Sequence, residues 1–199
     1  MDVKNRRVEQ GEATRAQLVR AARGLFATRG YANVGTEEIV RAAGVTRGAL
    51  YHHFSGKADL FRAVVEEVDR DLMARLASVA ADANDPIDAM RRGAAAFLDA
   101  CLDDEVQRIT LIDAPAVLGW AQWREIGAQY GVGLVEAVLG AAMEAGQIER
   151  QPVRPLAHVL VGALDEAALM VARAEDVTAA RAEVGQIVDR LVDGLRPRG

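Results

Sequence analysis

Apolar residues recur at spacings of three and four along almost the whole chain, and no run sustains the apolar–polar alternation of a half-buried strand. Leu18, Ala22, Leu25 and Phe26 share one stripe, Phe61, Val65, Val68, Leu72 and Leu76 a second, and Ile87, Met90, Ala94, Phe97 and Cys101 a third. A helix with one apolar stripe must bury it against another element, and with no strands available that element is another helix. The pattern therefore predicts an all-α chain. With 199 residues, of which 51% are hydrophobic, a well-buried core is within reach and extensive disorder is excluded.

Breakers divide the helices. The first is expected over residues 13–29, stopped by Gly30 and preceded by a mobile basic arm. Thr36 reads as the N-cap of a short second helix, with Glu37 and Glu38 at the positive end of its dipole and Ile39, Val40 and Ala43 on its buried face. Gly44 permits a sharp turn, Thr46 caps a third helix, and Leu50 with Phe54 faces inward. Ser55-Gly56 ends that helix and opens a long fourth one, residues 57–80, that connects an N-terminal three-helix unit (1–56) to a larger body (57–199). Pro86 suits the first turn of the next helix. Breaks at Ala114-Pro115, Gly146 and residues 152–155 separate a short apolar helix, a long one through Trp120, Trp123, Tyr130 and Val138, and a closing pair at about 156–173 and 178–195.

Charge is distributed unevenly. Net charge is −5, which by itself argues against a polyanionic partner, yet residues 1–54 hold nine Lys or Arg against five Asp or Glu, and residues 55–199 hold fifteen against twenty-four. The N-terminal unit is thus +4 and the body −9, so only the former is suited to touch a polyanion. The lone cysteine, Cys101, cannot form an intramolecular disulfide, and the opening residues lack the apolar run of a secretory signal, so a cytoplasmic setting is expected. The most apolar stretch, 156–171, is interrupted by His158, Asp165 and Glu166 and is expected to fall short of the roughly 20 residues that cross a bilayer.

The segment 36–57 carries the functional signal. A short capped helix, a glycine turn and then Thr46-Arg47-Gly48-Ala49-Leu50-Tyr51-His52-His53-Phe54 form a helix-turn-helix pattern. The second helix of such a motif enters the major groove of double-stranded DNA by its N-terminus, so its inward positions stay apolar and its outward ones offer donors. Leu50 and Phe54 meet the first demand; Arg47, Tyr51, His52 and His53 meet the second. Arg47 suits a bidentate contact to guanine, worth about 1 to 3 kcal/mol of discrimination, whereas Tyr51, His53 and Lys57 suit phosphates. Thr36 and backbone amides at helix starts also suit phosphate oxygens. Adjacent helical residues do not face each other and His158 lies far along the chain, so His52 and His53 are not read as metal ligands. No metal or cofactor is expected.

From about residue 14 to 65 the chain resembles the tetracycline-repressor (TetR) family of regulators. The resemblance rests on Leu25-Phe26-Ala27-Thr28-Arg29-Gly30-Tyr31, Thr36-Glu37-Glu38-Ile39, Ala42-Ala43-Gly44-Val45, Leu50-Tyr51-His52-His53-Phe54 and Lys57-Ala58-Asp59-Leu60-Phe61. It implies that Tyr51, His53 and Lys57 hold phosphates and that the variable base-reading positions fall on Arg47, Gly48 and His52, which leaves the operator sequence open. Gly35 departs from the bulkier residue common there.

The same resemblance implies a homodimer formed through the last two helices, a palindromic operator, and a small-molecule effector bound in the body. Local sequence agrees with the dimer: Val184, Ile187, Val188, Leu191 and Val192 form a stripe, and Gly162, Ala163, Ala167, Ala168 and Ala172 permit close approach of helices, although the stripe could equally pack within one subunit. Effector-contact candidates are Phe97, Cys101, Ile109, Trp120, Trp123, Tyr130, Met143, His158 and Asp165, because ligand cavities combine apolar walls with a few polar groups. For Asp165, pairing with Arg173 or exposure is the competing reading, and for Cys101 a plain core role. A ligand-responsive repressor, released from DNA when the effector pivots the fourth helix, is the expected function. A small helical hydrolase or transferase and a protein-binding adaptor are the alternatives; the chain lacks a Gly-rich phosphate loop, paired metal ligands or a nucleophile motif, so it is not expected to be an enzyme.

Overall fold

The computed structural model describes residues 3–197, with side chains for 8–197. The first helix, α1, runs Val3–Arg29. It starts ten residues earlier than expected, and the anticipated arm is helical from Val3 on. Residues 3–10 hold no proline and several good helix formers, so nothing halts propagation toward the N-terminus. Residues 1 and 2 lie outside the described part. Gly30 stops the helix at φ 75°, and a 3-10 turn, Tyr31–Asn33, follows.

Helix α2 spans Thr36–Ala43, with Gly35 rather than Thr36 at the N-cap; Thr36 is its first helical residue and makes no capping bond. Gly44 closes α2 in the left-handed conformation at φ 67°. Thr46 caps α3 (Arg47–His53) as expected, its hydroxyl accepting from the amide of Ala49 at 3.2 Å. Helix α4 spans Lys57–Ala81, and Asp59 in its first turn accepts from both the amide (2.9 Å) and the hydroxyl (3.2 Å) of Ser55. The core of this head is fully closed: Leu18, Phe26, Ile39, Leu50, Leu60 and Phe61 are inaccessible to solvent. Phe26 and Phe61 meet edge-on at 5.2 Å and Tyr31 lies 4.9 Å from Phe61, a geometry that adds about 0.5 to 1.5 kcal/mol per pair beyond area burial.

The body contains α5 (Pro86–Ala100), α6 (Asp104–Val106), a π-helical segment (Gln107–Asp113), α7 (Ala114–Leu118), α8 (Trp120–Glu144), α9 (Val153–Ala172) and α10 (Val177–Asp193). Asp85 caps α5, accepting from the Asp88 amide at 2.9 Å, with Pro86 in the first turn as expected. The anticipated break at Ala114-Pro115 is absent. Helical backbone continues from Asp104 to Leu118, because Pro115 falls in the first turn of α7, where a missing N–H costs little; the break comes at Gly119, φ 81°.

Helix α4 joins the two parts, packing on α1 in the head and on α5, α7 and α8 in the body. One apolar core runs continuously along it from Leu18 to Val188, and a second, around Ile87, Leu139, Met143, Ile148 and Ala157, fills the distal end. Helices α8 and α9 are each long and apolar enough to cross a bilayer, so α9, with its 20 residues, corrects the expectation that this stretch is too short. Both pack into the bundle, α8 against α4, α5 and α9, and α9 also against α10.

Candidate nucleic-acid interface and body cavity

Helix α3 presents the side chains its sequence promised. Leu50 and Phe54 are buried, which fixes the helix on the head, while Arg47, Gly48, Tyr51 and His52 are exposed. Arg47 lies 5.6 Å from the Tyr51 ring and 3.5 Å from Glu37 of α2. Both partners are highly exposed, so this pair is weak and leaves the guanidinium free to exchange it for another acceptor. His53 is half-buried against α1; burial, with the nearby His52 and Arg15, holds its pKa below the ordinary histidine value. It is therefore mostly neutral at physiological pH, and carries one ring N–H to donate.

Lys57 is more constrained than the sequence implied. Its ammonium donates to the carbonyls of Tyr31 and Val34, both at 2.9 Å, and sits 4.0 Å from the Tyr31 ring centroid. Two of its three N–H bonds thus tie α4 to the loop between α1 and α2, leaving one for an outside acceptor. Thr36 lies nearby at the start of α2, its hydroxyl uncommitted to a cap.

Head and body are also pinned by polar contacts that no motif announced. Arg23 of α1 holds Glu105 through two bonds of 2.8 and 2.7 Å, Asp71 at 2.5 Å and Glu67 at 3.4 Å. The carboxylates keep its guanidinium firmly protonated despite partial burial. The Tyr31 amide donates to Asp113 at 2.7 Å.

Between α4, α5, the π-helical segment, α8, α9 and α10 the body holds a partly open cavity of about 140 Å³. Five of the nine expected contact residues line it: Phe97, Cys101, Trp123, Tyr130 and Asp165. The other four do not. Ile109 is buried elsewhere in the main core, Met143 belongs to the distal core, and His158 lies exposed on the outer side of α9. Trp120, the first residue of α8, is 57% exposed and packs on Trp123 at 4.8 Å. Asp165 pairs with Arg124 of α8, not with Arg173, because α8 is the neighbour against which α9 packs.

Two polar wall residues, Asp69 and Thr110, were not among the sequence candidates. Asp69 of α4 is only 6% exposed and accepts from the Thr110 hydroxyl at 3.4 Å. Burial pushes its carboxyl up to about 7, the Thr110 bond opposing and the Asp165 charge adding to the rise. Asp165 is raised to about 6, again mainly by burial, which outweighs its contact with Arg124. Cys101 is pushed up to about 12, chiefly by burial, so its thiol is an inert wall group. A signal for Asp69 existed: it stands four residues after Val65 and three before Leu72, an acid inside an apolar stripe.

The expected contact stripe on the last two helices divides into two faces. Val184, Val188 and Ala167 are each 8% exposed, packed in the subunit's own core, so they are not available to a partner copy. Ile187 (55%) and Leu191 (50%) project outward, as does Ala163, and Val159 and Met170 of α9 add exposed apolar surface that the stripe had not included. Gly162 is half-buried, with Arg124 packed over it. Ala163, Val188 and Leu191 also line the cavity.

A capped helix-turn-helix on a closed three-helix head, joined by one long helix to a hollow helical body, defines a DNA-binding transcriptional regulator. Residues 18–64 match the family model "Bacterial regulatory proteins, tetR family" and residues 87–195 match "Tetracyclin repressor-like, C-terminal domain". The chain belongs to the TetR family of transcriptional regulators. A TetR-family transcriptional regulator from Pectobacterium atrosepticum is 34% identical, superposes with a TM-score of 0.85, and the match covers 96% of this chain and 97% of that one. The Transposon Tn10 TetC protein of Escherichia coli is 28% identical over 81% of this chain and 82% of its own length. The HTH-type transcriptional regulator TtgR of Pseudomonas putida is 39% identical over 52% of this chain and 50% of its own. RolR in complex with resorcinol shares the fold, with a TM-score of 0.75 at 22% identity, 96% of this chain and 97% of that one being covered.

Proposed function

We propose that the chain is a ligand-responsive repressor that binds a palindromic operator as a homodimer and leaves it when a small molecule fills the body cavity. The single observation that carries the DNA half is α3: held from beneath by Leu50 and Phe54, it turns Arg47, Tyr51 and His52 to solvent. Arg47, Gly48 and His52 read base edges, and Tyr51, His53 and the remaining N–H of Lys57 hold phosphates, with Thr36 and the Thr46-capped start of α3 beside them. Residues 1–56 form the DNA-binding unit and 57–199 the sensing and dimerising unit, acting in the cytoplasm without catalysis.

Exposed Ile187 and Leu191 on α10, with Val159, Ala163 and Met170 on α9, form the dimer face, since an apolar patch of this kind marks an interaction surface. Two heads related by a two-fold axis then read half-sites about 34 to 36 Å apart. Helix α4 supplies Asp69, Leu72 and Met73 to the cavity and Lys57 to the head, so a ligand that displaces its middle turns moves its first one.

The test is a gel-shift and footprinting series on DNA upstream of the protein's own gene at moderate salt. Arg47→Ala is expected to relax base preference at one operator position by about 1 to 3 kcal/mol, whereas Lys57→Ala weakens all sequences alike. A wild-type protein giving no specific band counts against the function; indistinguishable effects of the two variants overturn the assigned roles.

A further inference from the structure

We infer that the effector is a compact aromatic or aliphatic cation whose ammonium group is held between Asp69 and Asp165. This rests on the cavity being the effector site and adds the ligand's charge and size.

Among the described residues, the cavity walls include two carboxyl groups and no Lys, Arg or His. Arg124, which pairs with Asp165, is not a wall residue. Asp69 is the more telling of the two. It is 6% exposed, its one polar contact is the Thr110 hydroxyl on Oδ1, and every fully enclosed polar side-chain atom among the described residues has a partner. Its second oxygen therefore faces the cavity. A buried carboxylate with a free oxygen and no cation is costly, and a ligand that brings a cation is the group that relieves the cost. Once Asp69 ionises, near pH 7 and above, an anionic ligand meets a like charge that no wall cation offsets, which disfavours it. Trp123, Tyr130 and Phe97 complete the site: aromatic faces attract a cation and pack against its apolar part.

The other titratable groups around Asp69 fit the same reading. Asp165 on α9 adds negative charge, Arg124 on α8 offsets Asp165, Cys101 at the end of α5 stays a neutral thiol, and Tyr130 on α8 is engaged by Arg70 through its hydroxyl at 3.4 Å. Size follows from volume. A single water needs about 10 to 15 Å³ on this scale, so a cavity of about 140 Å³ accepts roughly ten water-sized groups, one ring with a short chain.

The test uses the full-length protein and three isosteric probes, 2-phenylethylammonium, 2-phenylethanol and phenylacetate, in isothermal titration calorimetry at pH 6 and 8, with operator release scored in parallel. The ammonium ion is expected to bind at least tenfold more tightly than the alcohol, more so at pH 8 than at pH 6, and phenylacetate not to bind. Asp69→Asn is expected to lower ammonium affinity tenfold or more and alcohol affinity less than threefold; Asp165→Asn, a conservative second variant, is expected to lower it severalfold. Alcohol or carboxylate binding as tight as the ammonium ion, an ammonium affinity unmoved by both variants, or no binding by any probe overturns the inference. Operator release by the alcohol with equal potency overturns the charge preference alone and keeps the effector site, whereas a probe that binds in the cavity and leaves operator binding unchanged removes the effector reading itself.

Discussion

The head and the body are built from the same kind of helix but solve opposite packing problems. In the head, Phe26, Tyr31 and Phe61 interlock and Leu18, Ile39 and Leu50 are sealed, leaving a solid core beneath α3. In the body, five helices converge on Asp69, Thr110, Asp165 and an open volume of about 140 Å³. A reader of DNA must hold a few side chains in fixed positions, which dense packing provides. A sensor must leave room for a molecule it does not yet hold, and the body gives up packing and accepts two desolvated acids to do so.

The largest test of this contrast compares large-to-small substitutions. Phe26→Ala is expected to cost about 3 to 5 kcal/mol in urea unfolding, while Leu134→Ala in the cavity wall, already missing neighbours on one side, stays near 2 kcal/mol or below. Equal losses would show that the head is no better packed than the body.

The buried acids give the next effect. Asp69 and Asp165 keep their protons to about pH 7 and 6 in the folded protein, while the unfolded chain releases both near pH 4. Folding stability from these groups is thus fully present below about pH 4 and is lost progressively as pH rises from there through the folded values of about 6 and 7. Relative to Asp69→Asn, the wild-type protein is expected to lose on the order of a few kcal/mol between pH 4 and pH 7.5, read from urea midpoints. A flat difference across that range would mean that Asp69 is hydrated.

Two glycines supply the smallest effect and the sharpest contrast. Gly131 faces the cavity, and a Cβ there would touch only Met73 Sδ at 3.8 Å, so Gly131→Ala is expected to stabilise α8 by up to about 1 kcal/mol while narrowing the cavity. Gly30 sits at φ 75°, and a Cβ added there would come within 3.2 Å of Arg108 Nη1, so Gly30→Ala is expected to destabilise by about 1 to 2 kcal/mol. Thermal unfolding of both variants checks the opposite signs.

Sequence periodicity is a better guide to the head than to the body, and the reason is range. The turn at Gly44, the Thr46 cap and the inward Leu50 and Phe54 are decided within a few residues of themselves. Where local and tertiary signals diverge, the tertiary one wins. Thr36 is a good capping residue, but Gly35 takes the position. Lys57 reads as a free cation, yet carbonyls 23 and 26 residues away claim it. The stripe at Val184, Ile187, Val188 and Leu191 is visible as apolar, but which half faces inward depends on α5, nearly a hundred residues earlier. Cavity walls are less legible still: Phe97 and Met143 are both apolar helix residues, and only the three-dimensional convergence of α4, α5 and α8 leaves one beside empty space and the other in the distal core.

The π-helical segment Gln107–Asp113 has a geometric consequence for how two distant partners are served at once. Residues three apart in a regular helix share a face. The wider winding here splays them, so that Thr110 addresses Asp69 in the cavity while Asp113 addresses the Tyr31 amide in the head. Rewinding to 3.6 residues per turn would turn the two side chains toward a common face. Seven residues thus serve the cavity through Thr110 and the head through Asp113 within one short segment.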